Sequence, residues 1–462
     1  MSERTTPPPA AAAPANGLER KLGLFPLTNI VVANMIGAGI FTTSGLLMQD
    51  LHHPGVMIGL WLFGGLVALC GALSYGELGA AFPQAGGEYA FLSRLYHPVL
   101  GFLSGWVSFF VGFSAPIAAS AIGFSEYLTR AFPGLLRLGL FPEPVEAKLM
   151  KKLFAVLIIA AFTFLHTRGL KTGARVQNVL TGLKVLLIVG LVAAGFAVGK
   201  GTFAHFAAAA PFRFDFAGLK TMGLSLMWIM FAYSGWNASA YVGSEVRDPL
   251  RNLPRSLLLG TAVVTLLYAA LNVFYVYAIA PGAMEGVISV AGLAAGNLFG
   301  PAAETVLSLL VSFALFSSLS AYLILGPRVY YSMARDGIFF RSIAFVDPRS
   351  AVPTRSIVLQ GAIAAVMVFL GTFDQLLTYM SFSLGIFPLL AVVGVFKLRR
   401  TGRSAVKLPG YPVASAVYLL AGTAILVLSF LERPKESLVA LATAAVGVPV
   451  YLFFKARSAR TP

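Results

Sequence analysis

A chain of 462 residues with 58% hydrophobic and 11% charged side chains, 47 glycines and a formal charge of +16 cannot be a soluble globule, because most of its apolar stretches have no polar face to offer water. The positive charge is spread over loops rather than gathered into one patch, which argues against a nucleic-acid partner. A single cysteine, Cys70, excludes a disulfide framework or a cysteine-built metal site within one chain.

In chain order, residues 1–17 are rich in Pro, Ala and Thr and read as a disordered tail, with no cleavable signal peptide. Twelve stretches then approach the roughly 20 apolar residues that a helix needs to cross a lipid bilayer, so the fold class is an all-α membrane protein with twelve transmembrane helices. The first, Phe25–Met48, carries the small and polar run NMIGAGIF (Asn34–Phe41) at its middle. His52 and His53 follow in a loop, where they read as solvated residues, since nothing in their spacing supports a metal or proton site. Val56–Ala81, Val99–Tyr127 and Leu153–His166 are uninterrupted. Val176–Val198 holds Lys184 well inside the span, beyond easy snorkelling distance. An ammonium there costs about 2.5–3.5 kcal/mol on insertion and needs a partner or a wet cavity. Phe216–Ser244 is interrupted by FAYSGWN (Phe231–Asn237). Leu253–Ala280, Ala302–Tyr331, Ser356–Gly371, Phe373–Phe396, Val413–Leu431 and Leu438–Phe454 complete the set.

An even number of spans puts both termini on one side. Lys and Arg concentrate in the loops of that side, which assigns it to the cytoplasm; the loop holding Arg130, Arg137, Lys148, Lys151 and Lys152 runs against this pattern. Glu77 and Glu245 stand near span ends followed by basic residues, Arg94 after the first and Arg247, Arg251 and Arg255 after the second, and read as interfacial ion pairs or caps.

The two interruptions carry the functional argument. In hydrocarbon every peptide group must be hydrogen-bonded, so an unwound segment survives only where it is buried in protein or lines a cavity. At Gly37, Ala38 and Gly39 the minimal side chains let amide N–H groups face a ligand at the positive end of the following half-helix, which suits a carboxylate. At Phe231–Gly235 a half-helix ends with free carbonyls, which suits a cation such as an ammonium. Together the two ends make a receptor for a zwitterion. Close packing of helices is the alternative use of Gly37 and Gly39, but a second break half a chain later favours a binding site. Ser234 and Asn237, polar at membrane depth beside the break, read as lining that site.

NMIGAGIF, YGELGAAFPQAGGEYAFLSRLY (Tyr75–Tyr96), RVQNVLTGLK (Arg175–Lys184), FAYSGWNASAYVGSEVRDPLRNLPRS (Phe231–Ser256) and GPRVYYSMARDG (Gly326–Gly337) resemble the amino acid–polyamine–organocation superfamily, and within it bacterial relatives of the L-amino acid transporters. The resemblance covers about residues 20 to 455 in order. It implies a LeuT-like five-helix inverted repeat with broken first and sixth helices: a tail at 1–20, a first repeat over 21–200, a second over 201–400, and two further helices with the C-terminal tail over 401–462. It places the substrate carboxylate at Gly37, Ala38 and Gly39 and the amino group at the carbonyls of Phe231, Ala232 and Ser234, with the Phe231 ring closing over the substrate. Lys184 falls where sodium-independent relatives carry a lysine in the place of a sodium ion. It would tie the broken first helix through carbonyls near Asn34–Gly37, or else titrate and serve proton coupling. FPQAGGEY is implied to be an interfacial turn and a gate element.

No HExxH, paired-carboxylate or Ser/His/Asp set marks an enzyme, no P-loop marks hydrolysis-driven transport, and no cofactor motif is present. Two breaks within one chain suit a carrier better than the ringed pore of a channel. The expected function is a secondary active transporter of amino acids in the bacterial cytoplasmic membrane, sodium-independent, by exchange or with proton coupling. Ala38, Ala232 and Ser234 set no fixed charge beside the pocket, which favours neutral L-amino acids; the alternative is a basic amino acid or polyamine antiporter.

Overall fold

The structure is a computed structural model that describes residues 18–132, 143–207, 212–287, 289–370, 373–432 and 434–459; the tail expected at residues 1–17 lies outside them. Helices form where the apolar runs predict them. The first span is two helices, α1 (Leu24–Met35) and α2 (Ala38–Leu51), separated by Ile36 and Gly37. There follow α3 (Pro54–Ala81), a short α4 (Glu88–Leu95), α5 (Pro98–Val107) and α6 (Ala115–Ala131). A seven-residue π-helical stretch, Ser108–Ser114, joins α5 to α6 and makes them one span.

The chain continues through α7 (Glu143–Thr167), α8 (Leu170–Val198), α9 (Phe216–Tyr233), α10 (Pro249–Ala278), α11 (Pro281–Met284), α12 (Val290–Phe299) and α13 (Pro301–Arg335). It closes with α14 (Thr354–Leu370), α15 (Phe373–Arg400), α16 (Val413–Glu432) and α17 (Pro434–Ala459). Proline opens α3, α5, α10 and α13, where its missing N–H has no partner to lose. Eleven helical stretches among the described residues are long and apolar enough to cross a membrane, and α14 is a shorter apolar helix at the place of the remaining predicted span. Leu157, Leu186, Leu266 and Leu420 face outward, as a lipid-bathed surface requires.

The second interruption differs from a simple broken helix. Beyond Tyr233 the chain turns at Gly235, whose φ of +99° suits glycine alone, and continues as two 3-10 turns, Ala238–Tyr241 and Gly243–Glu245, rather than as an α-helix.

Both glutamates flagged at span ends are in buried pairs, with partners other than the nearby loop arginines. Glu245 makes two 2.8 Å hydrogen bonds with Arg328 of α13, and Glu77 makes two of 2.7 Å with Arg399 of α15. Side chains from distant helices fix each pair, which a reading of adjacent sequence cannot anticipate.

One face of the bundle is zipped shut around the Leu18–Gly23 segment. The amides of Lys21 and Leu22 donate to Glu245 O at 2.9 Å, and Arg247 N donates to Leu22 O at 2.8 Å. Leu18 packs on Ala85 and Tyr331. The AGGE turn after α3 joins the seal: Ala85 N donates to Ser244 Oγ at 2.8 Å, Gly86 N to Tyr241 O at 3.0 Å, and Ser332 Oγ to Ala85 O at 2.7 Å.

Candidate binding site at the two helix breaks

The two breaks meet. A Cβ added to Gly39 would lie 2.8 Å from Ala232 Cβ and 2.9 Å from Ala232 Cα, and one added to Gly235 would lie 2.3 Å from Asn34 Nδ2. Glycine at these positions is what lets two backbones touch. Around the contact lies a small cavity lined by Gly37, Ala38, Gly39, Phe231, Ala232, Ser234 and Tyr322 among others. Six of the seven residues expected to bind substrate therefore share one chamber.

The seventh, Asn237, lines a larger adjoining cavity that shares Phe231, Ser234 and Tyr322 with the first. Its wall includes Ser108, Gly112 and Phe113 of the π-helical stretch, which aims them at the break. Met227, Met230, Leu384, Phe387 and Ile425 make much of the remaining wall apolar.

The hydrogen-bond inventory distinguishes occupied from open backbone groups. Gly37 N donates to Met35 O at 2.9 Å and is occupied. Ala38 and Gly39 open α2, so their amides have no carbonyl of their own helix to reach. On the other break, Ser234 N donates to Phe231 O at 3.0 Å. The hydroxyl of Tyr268, on α10, reaches both breaks at once: it is 2.7 Å from Met35 O and 2.9 Å from Ala232 O. One hydroxyl hydrogen cannot fully satisfy two carbonyls, and Met35 O already accepts from Gly37 N, so the acceptor capacity left for a ligand ammonium is at Ala232 O. Asn34 Oδ1, on the wall of the larger cavity, is also buried without a hydrogen bond.

Lys184 lies behind the first break, 2% exposed. Its Nζ donates to Ile36 O, to Ala33 O at 3.3 Å and to Ser318 Oγ at 3.0 Å. Ser318, on α13, itself donates to Ile36 O at 2.8 Å. The carbonyls freed at the end of α1 are thus met by side chains of α8 and α13, three helices joined at one point.

Residues 22–452 match the family described as "Amino acid permease". The chain belongs to the amino acid permease family. The superfamily read from the five motifs holds over nearly the whole chain, and with it the LeuT-like arrangement in which the first and sixth helices are broken. The permease is 26% identical over 438 residues to the mouse "Asc-type amino acid transporter 1", covering 94% of this chain and 81% of that one. It is 26% identical to the mouse "Large neutral amino acids transporter small subunit 2" (96% and 83% covered) and 27% identical to the human "b(0,+)-type amino acid transporter 1" (89% and 82% covered). The permease is an integral membrane protein and an amino acid transporter of this family.

Three residues at the site escape a reading of the sequence. Tyr268 and Ser318 sit in unbroken spans with no local signal. Glu88 lies in the AGGEY turn, yet it lines the larger cavity, so the walls around the breaks do contain an acid.

Proposed function

We propose that the permease carries neutral L-amino acids across the bacterial cytoplasmic membrane by alternating access, independently of sodium and without an enzymatic step, with both termini in the cytoplasm. The observation that carries this reading is the convergence of two broken helices on one small chamber. Amides of Ala38 and Gly39 at the start of α2 offer a cradle for the carboxylate, and the carbonyl of Ala232, which has only a share in the Tyr268 hydroxyl, suits the ammonium. Ser234 and Asn237 would line the pocket and Phe231 would cover it. The largely apolar second cavity suits an uncharged side chain. The internal division we adopt is a repeat over 21–200 and a second over 201–400, with 401–462 added. The relatives' names span large neutral amino acids and a b(0,+) type. A basic amino acid or polyamine is the second reading, favoured by Glu88 at the far wall.

A thermal-shift screen of the purified protein against amino acids and polyamines separates the two, because a ligand that binds the folded state raises its melting temperature. Neutral amino acids are expected to give the largest shifts; shifts confined to cationic compounds would overturn the first reading. Recognition by backbone groups at both breaks further requires both ends of the zwitterion. Methyl-esterified and N-acetylated forms of the best ligand are each expected to lose at least about 1.5 kcal/mol of binding, the scale of a charge-assisted hydrogen bond. Undiminished competition by either derivative would count against the proposed site.

A further inference from the structure

Glu88 is the one buried charge on the cavity walls that this reading leaves without a task. It lies in the connection between α3 and α5, outside the spans, and is 2% exposed. Oε1 accepts from the Tyr75 hydroxyl at 2.8 Å and from Asn237 Nδ2. Oε2 is buried and meets no donor in hydrogen-bond geometry among the described residues. No ion pair is formed to it within those residues either, in contrast to the buried Glu77 and Glu245. The titratable groups turned toward it are Tyr75 from α3, Tyr241 from the 3-10 turn and Tyr418 from α16, all phenols, with Tyr330 of α13 beyond Tyr241. An anion enclosed by neutral groups is the arrangement in which a proton is the cheapest counter-charge.

Its position gives that proton a consequence. Asn237, held by Glu88, directly follows the break, and Asn237 Nδ2 also reaches the Tyr241 hydroxyl at 3.3 Å. The same turn that carries Glu88 closes the face through Gly86 and Tyr241. Both glycines before Glu88 have positive φ, +118° and +55°, conformations that favour glycine, and a Cβ on Gly87 would lie 2.6 Å from the Tyr241 ring, so the AGGE turn sits close against the segment after the second break.

We propose that Glu88 is a proton-binding site of the permease and that its negative charge latches the segment after the second break, so that protonation loosens the sealed face and speeds the opening step. This deepens the transport reading above and rests on it. Burial pushes the Glu88 carboxyl up from the usual carboxylate range, while the nearby Tyr241 hydroxyl, the residue's own backbone amide and the bonds from Tyr75 and Asn237 oppose the rise. The charge-assisted bond to Asn237 is therefore present above the carboxyl's pKa and becomes a weaker neutral one as pH falls through it.

The test uses the full-length protein in proteoliposomes, with radiolabelled L-leucine exchanged for internal L-leucine over a range of pH imposed equally on both sides. Wild-type exchange is expected to quicken about fivefold on acidification, the ratio that separates a charge-assisted from a neutral hydrogen bond. Glu88→Gln, which keeps the acceptor but not the charge, should be fast at every pH. Tyr75→Phe removes a donor to the charged form and should move the midpoint to higher pH without abolishing exchange; it keeps the question answerable if Glu88→Gln folds poorly. Infrared difference spectra between acid and alkaline buffer should show a protonated-carboxyl stretch that Glu88→Gln lacks, a readout independent of transport.

A pH-dependent rate retained in Glu88→Gln, or spectra in which that variant keeps the band, would overturn the proton site. Loss of lysine and arginine binding in Glu88→Gln, with neutral binding and the pH profile intact, would make Glu88 a reader of cationic side chains instead. Absence of L-leucine exchange at every pH, with the infrared band present, would refute the transport reading and the latch with it, while the proton site itself would stand.

Discussion

Lys184→Ala is expected to reduce transport to background in a protein that still inserts and purifies as a monodisperse species. The change removes the donor to Ile36 O and Ala33 O, and Ser318, with one hydroxyl hydrogen, cannot replace it at both. A carbonyl left unsatisfied away from water costs about 1–3 kcal/mol, enough to disorder the end of α1 that shapes the chamber. Lys184→Met tests the donor rather than the volume, since it refills the space and offers no N–H; it should behave like the alanine variant. On the proposed reading, in which Lys184 stands in for a bound sodium ion, uptake by the wild type should proceed equally in sodium and choline buffers. Strict sodium dependence, or wild-type rates in either variant, would remove Lys184 from the mechanism.

Gly39→Val is expected to abolish ligand binding without preventing membrane insertion. The added Cβ would lie under 3 Å from both Cα and Cβ of Ala232, so the second break would have to move, and backbone is less compliant than a side chain. β-branching also stiffens the residue where α2 begins. Gly39→Ala carries the same Cβ contact without the branching and should lose most of the binding, measured by thermal shift against the best ligand of the wild type. Undiminished affinity in either well-folded variant would show that the contact between the breaks is not part of the site.

Much of this was legible in the sequence because membrane physics is severe. A run such as Val56–Ala81 has no structure open to it in lipid other than a helix, and the helix observed, Pro54–Ala81, differs by two residues at one end. The break at Ile36–Gly37 was legible for the same reason, as small residues at mid-span are tolerated only beside protein or a cavity. The second break was legible in place but not in form. That the segment after Gly235 winds as 3-10 turns depends on its bonds to Glu88, the AGGE turn and the Leu18–Gly23 segment, none of which is local.

Partners separated by long stretches of chain mark the boundary of sequence reasoning. Arg399 is 322 residues from Glu77, and Tyr268 is 233 from Met35; local patterns carry no record of such pairings. Glu88 shows the cost. Inside the FPQAGGEY turn it gives no local sign of reaching the pocket, which Ala38, Ala232 and Ser234 leave without charge; the folded chain places it on the wall of the larger cavity, bonded to Tyr75 and Asn237.

The sequence by itself determined the class, the spans, the two breaks and the buried lysine, because burial of apolar length and satisfaction of backbone groups in lipid are properties of a segment. Tertiary structure decided which carbonyls Lys184 meets, that one tyrosine bridges both breaks, that Glu77 and Glu245 are paired inside the bundle and that a third glutamate, Glu88, lines the cavity. Those are properties of contacts between helices, fixed by packing at close approach points such as Gly39 against Ala232, where a single methyl group would hold the two breaks apart.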